Sequence, residues 1–87
     1  MKYIKNKSMD FLDIDDENLV VYDPDSGDTH YIGEPGKTIL SLLEDETEFD
    51  ALVSKLCELY SAADGEIEAD VREFLAELVE KKVVMQL

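Results

Sequence analysis

The chain has 87 residues, 45% of them hydrophobic, enough for one domain around a modest core and better suited to a binding surface than to a deep catalytic cavity. Its 22 acids against 8 bases leave a net charge of −14, which repels nucleic-acid phosphates and anionic membranes and favours a cationic partner or a basic patch on a larger enzyme. No run approaches the roughly 18 apolar residues of a membrane span, MKYIKNKSMD lacks the apolar run of a signal peptide, and the single cysteine, Cys57, allows no disulfide within the chain, so a cytoplasmic location is expected.

Residues 1–8 are polar and hold three of the eight bases, Lys2, Lys5 and Lys7, with isolated Tyr3 and Ile4. They read as a flexible N-terminal arm ordered only at its end, which leaves 9–87 as a single domain. Met9 to Asp15 alternates in part, with Leu12 and Ile14 available to one face, and reads as a first strand; Asp15-Asp16-Glu17-Asn18 then turns the chain. Leu19 to Tyr22 and Thr29 to Ile32 are β-branched and aromatic, and the six residues between them are turn formers. Pro24 presets φ, Asp23 and Ser26 can bond nearby backbone, and Gly27 can supply positive φ. The pair reads as a β-hairpin. Because the chain beyond Ile32 reads mainly as helix, the sheet has few strands, and a long edge is expected to stay unpaired.

Gly33-Glu34-Pro35-Gly36 breaks the strand, and Pro35 or the residues after it open a short helix that buries Ile39, Leu40, Leu42 and Leu43. Thr47-Glu48-Phe49-Asp50 has the form of a capping box with aspartate in the place of glutamate. Phe49, Leu52, Val53, Leu56, Leu59 and Tyr60 then lie on a helical stripe, and Cys57 belongs to the core. Asp64 is an N-cap candidate for a third helix whose buried stripe is Ile67, Val71, Phe74, Leu75 and Leu78 and whose end carries Lys81 and Lys82. Residues 83–87 read as a short extended segment. Glu66, Asp70, Glu73, Glu77 and Glu80 share one side of the third helix. Such a row is either a solvated face or the acidic wall of a groove for a basic peptide.

Chemistry is sparse. His30 is the only histidine, which excludes an imidazole triad or a multi-histidine metal site within the chain. Alternation sets His30 with Ile32, opposite Thr29 and Tyr31. No glycine-rich phosphate loop occurs. Asp23, Asp25 and Glu34 fall at the first, third and twelfth positions of a calcium loop, but Asp28 stands where that loop requires glycine and Gly27 where it requires a ligand. Ser26 lies in a turn and not at a helix start, which argues against a carrier protein. No cofactor is expected.

With these landmarks in order, the chain resembles the PqqD-like family, the leader-peptide recognition elements of ribosomally made, modified peptide pathways. The resemblance covers roughly residues 18–84: VVYDPDSGDTHYIG, the break with Gly36 and Ile39, Leu42-Leu43, Phe49 and Leu52, Leu56 with Tyr60, and Asp70-Val71-Arg72-Glu73-Phe74-Leu75 with Leu78. Gly33 stands where the family often has asparagine, Asp45-Glu46 where a glycine is usual, and Lys82 where glycine often precedes the last apolar pair. The resemblance implies an α+β, winged-helix-like fold of three antiparallel strands followed by three helices. It also implies a protein with no catalysis of its own, which binds a precursor's leader peptide and presents it to a modifying enzyme, a radical S-adenosylmethionine enzyme or a leader peptidase. An extended peptide would add a strand beside Asp28, Thr29, His30, Tyr31 and Ile32, with Asp70, Glu73, Phe74 and Glu77 as the opposite wall.

Rival readings are a winged-helix protein-interaction or transcriptional module, opposed by the charge, and a small enzyme or carrier, opposed by the missing nucleophile–base pair and metal set. A free edge also permits pairing with a second copy, so a monomer or an edge-strand dimer is expected.

Overall fold

Two small sheets and three helices make up the fold in a computed structural model that describes residues 1–87, the side chain of Asp64 excepted. The order is β1 (Lys2–Lys5), β2 (Asp10–Asp13), β3 (Leu19–Tyr22), β4 (Thr29–Ile32), α1 (Gly36–Ser41), β5 (Thr47–Glu48), α2 (Phe49–Tyr60), α3 (Asp64–Glu80) and β6 (Val84–Gln86). The α+β class is as expected, and so is a three-stranded antiparallel sheet, ordered β2-β3-β4, ahead of the helices. A second antiparallel sheet, β5-β1-β6, is additional. Among the described residues no helix is long and apolar enough to cross a membrane.

That second sheet corrects the reading of residues 1–8 as a flexible arm. β1 is its central strand, pairing Tyr3 with Thr47 on one side and with Gln86 on the other. Tyr3 is buried, its ring tilted against Phe49 at 6.4 Å between centroids. Asn6 seals the start of the next loop by donating its side-chain amide to the Lys82 carbonyl at 2.8 Å. All of these contacts are remote in sequence, so a local pattern with only two apolar residues does not reveal them.

The same pairing cancels the expected capping box. Thr47 is taken up by β5, and its hydroxyl donates to the carbonyls of Asp45 (3.0 Å) and Leu42 (3.3 Å), while Glu48 stands at the cap of α2 without a side-chain cap bond. At α3 the cap position falls to Ala63, and the expected cap side chain, that of Asp64, lies outside the described residues. On α2 the buried stripe stops at Cys57, and Leu59 and Tyr60 are exposed.

Both long helices end in a left-handed residue that returns the chain, Ser61 at φ 52° and Lys82 at φ 66°. After α3, the Lys82 and Val83 amides bond the carbonyls of Val79 and Leu78, and Val83 and Leu78 are both buried, which is the Schellman arrangement with its hydrophobic contact. Lys82 thus occupies a position whose geometry suits glycine.

The two turns of the first sheet are held by carboxylates. Asp15 Oδ1 accepts the amides of Glu17 and Asn18 at 2.8 Å each, and Asp23 Oδ1 accepts those of Asp25 (2.9 Å) and Ser26 (3.4 Å), with Gly27 at φ 80°. The Glu17 amide and the Asn18 side chain hold the Asp15 carboxyl below the usual range, and the Asp25 amide does the same for Asp23. Lowered pKa values make these turns most secure above the ordinary carboxylate pKa of about 4.

Lys82→Gly is expected to stabilise the chain by about 0.5–1 kcal/mol in thermal unfolding, because relief of the left-handed strain exceeds the added freedom of the unfolded chain; a loss of stability would show that the lysine side chain contributes more than its backbone costs. In an acid titration monitored by hairpin amide shifts, the two turns should hold at pH 4 and loosen only as pH falls through the depressed pKa values of Asp15 and Asp23.

Candidate peptide-binding site

β3 is the middle strand of its sheet, pairing Phe11 and Leu12 of β2 with Val21 and Val20, and His30 and Tyr31 of β4 with the same two residues. β4 therefore pairs on one side only. The phase of the ladder is set by the turn, where the Asp23 amide donates to the Asp28 carbonyl at 2.8 Å. Hydrogen-bonded pairs recur at every second residue of an antiparallel ladder, so Val21 with His30 and Leu19 with Ile32 exchange bonds. Thr29 and Tyr31 then turn their N–H and C=O groups away from β3 toward the open edge.

Side chains alternate in the same register. Ile32 is buried and His30 half-buried on the inner face, whereas Thr29 and Tyr31 stand on the outer face, Tyr31 being 79% exposed. Asp28 is exposed at the turn end of the strand.

The far end of β4 meets α3 at one glycine. A Cβ built on Gly36 would lie 2.5 Å from Ile32 Cγ2 and 2.6 Å from Phe74 Cζ. Both side chains thus pack directly on the backbone at the start of α1, a distance no larger residue allows. Beside this junction opens a cavity of about 420 Å³ whose walls come from all three helices and the loop before α1: Pro35, Ile39, Leu56, Tyr60, Ile67 and Phe74, with Asp70 as the one acid.

Of the expected wall on α3, the structure brings Asp70 and Phe74 to this cavity. Glu73 and Glu77 are exposed on the same helix and do not line it; Glu77 pairs with Lys81 at 3.1 Å. The sequence does not mark Leu56, Tyr60 or Ile67 as site residues, because on a helical stripe a cavity wall reads as core, and Pro35 reads only as the residue that opens α1. The one available signal is Tyr60, a stripe residue with a polar tip at the end of its helix. The arrangement offers an open main-chain rim, an apolar cavity next to it and an acid at the cavity's edge. It contains no nucleophile with an adjacent base, and the described residues contain no group of three or more acids, histidines or cysteines placed to hold a metal.

Gly36→Ala should cost about 1–3 kcal/mol in denaturant unfolding, since Ile32 and Phe74 must both move to admit the methyl group. Phe74→Ala should cost a similar amount, less than the roughly 3–5 kcal/mol of a fully buried phenylalanine, because its ring is only half-buried. A Gly36→Ala variant as stable as the original would mean that the junction has slack.

Residues 18–84 match the family model of coenzyme PQQ synthesis protein D (PqqD). Among solved structures, TbiB1 in complex with the TbiA(beta) leader peptide superposes with a TM-score of 0.83 at 25% sequence identity, covering 97% of this chain and 96% of that one. Among curated proteins there is no significant match. The matched segment runs from the turn before β3 to the first residue of β6 and takes in every element that builds the cavity and the open edge, so the chain belongs to the PqqD family.

Proposed function

We propose that this protein captures the leader of a ribosomally synthesised precursor peptide as an added strand on β4 and presents it to a modifying enzyme, a radical S-adenosylmethionine enzyme or a leader peptidase, with no catalysis of its own. The observation that carries this reading is the unpaired edge of Thr29 and Tyr31 beside an apolar cavity. Membership of the PqqD family supports it, as does the likeness to a protein solved with a leader peptide.

The ladder sets the mode of capture. Leader residues opposite Thr29 and Tyr31 exchange main-chain bonds with them, and leader residues opposite His30 and Ile32 turn their side chains inward, toward Phe74 and the cavity. Main-chain bonds give affinity for any extended segment. Selectivity comes from an apolar side chain filling the cavity and from a basic residue near Asp70, Glu73 or Glu77. The acid row on α3 and the charge of −14 disfavour the alternative of a nucleic-acid-binding module.

Proline scanning of β4 separates this mode from binding elsewhere. Tyr31→Pro removes an amide that points outward, so the hairpin should survive while affinity for the leader falls about tenfold or more, one lost main-chain bond being worth roughly 1 kcal/mol before the ring's obstruction is added. His30→Pro removes an inward amide and should disrupt the hairpin itself. The measurement is calorimetric titration with a precursor leader peptide, with the fold monitored by circular dichroism. Undiminished binding by a folded Tyr31→Pro variant would move the site away from β4.

A further inference from the structure

The β2-β3-β4 sheet is apolar on both faces, but the body of the protein covers only one. Register places Leu12, Val20 and Tyr31 in one row across the three strands and Asp10, Tyr22 and Thr29 in the next, all on the outer face, and Ile14 continues that face beyond β2. Leu12 is 61% exposed, Ile14 55% and Tyr22 38%. A half-solvated antiparallel sheet ordinarily carries polar side chains on its wet face. The apolar stripe here is rimmed by exposed acids, Asp10 on the face itself and Asp16, Glu17 and Asp28 on the turns at its ends.

We infer that this outer face is the docking surface for the enzyme that acts on the captured peptide, a protein presenting an apolar centre within a basic rim. The inference rests on the reading of β4 as a leader-binding edge. Charge selects the occupant: a second copy would set one acidic rim against another at −14 each, and nucleic acid and anionic bilayers are repelled for the same reason. Position selects it too. A strand added to β4 extends this same face, and its residues opposite Thr29 and Tyr31 project alongside Tyr31. Whatever covers the face therefore lies against the peptide.

The test uses the full chain with a purified precursor-modifying enzyme and its precursor's leader peptide, each titrated separately by biolayer interferometry. In the Leu12→Ser/Ile14→Ser variant both changes are exposed and on the strand remote from β4, so leader affinity should stay within about twofold, whereas enzyme affinity should fall about tenfold or more, as for truncation of central contacts. Asp16→Asn/Glu17→Gln, which leaves the apolar stripe intact, should weaken the enzyme a few-fold and flatten its dependence on salt. Leader binding together with unaltered enzyme affinity in both variants overturns the inference alone. Absence of leader binding by the unaltered chain overturns the β4 reading and the inference with it. A dimer in sedimentation that the Leu12→Ser/Ile14→Ser variant dissolves assigns the face to a second copy and also overturns the inference.

Discussion

The approach of Ile32 and Phe74 over Gly36 is the contact on which the arrangement of this protein depends. It pins the end of β4 to the middle of α3 and so fixes where an unpaired strand edge stands relative to the cavity between the helices. Without that pin, the edge would offer main-chain groups to any extended segment and the cavity would be an unrelated dent. With it, the strand proposed to add along Thr29 and Tyr31 would run on toward a place for its side chains. Ile32 belongs to the buried core, in which Val21, Leu43, Leu75 and Val83 are wholly enclosed, and Phe74 packs against that core.

An open edge is a hazard as well as a tool, since it invites pairing with other copies. Charge manages the hazard. Every copy carries −14, and Asp28 and Glu34 flank β4 at its two ends. Like charge on two copies opposes their approach, and positive charge on another molecule favours it. The same acidity that opposes contact with phosphate backbones also opposes edge-to-edge pairing of two copies.

Much of this is legible in the amino-acid sequence, because it is written in local patterns. The hairpin is dictated by two β-rich runs around Pro24, Ser26 and Gly27, and the long helices by their stripes. The position of glycine-like Lys82 is visible as a departure from the family pattern and is matched by its φ of 66°. The features that escape are non-local. Tyr3 and Ile4 look like stray apolar residues until β5 and β6, more than forty and eighty residues away, close around them. The threonine of the apparent capping box is claimed by that same sheet. The cavity is hidden for a different reason: Ile67, Leu56 and Tyr60 lie on helical stripes whether the face they form is packed or hollow, and periodicity cannot separate the two. Conversely, Glu73 and Glu77 share a helix side with Asp70, but only Asp70 reaches the cavity.

Amide hydrogen exchange, read residue by residue along β4 with and without a bound precursor leader peptide, is the most direct measurement of the central claim. The N–H groups of His30 and Ile32, bonded to β3, should be protected in both states, and those of Thr29 and Tyr31 should exchange freely alone and become protected when the leader is present. Protection of Thr29 and Tyr31 before any peptide is added, or their continued free exchange in the saturated complex, would contradict it.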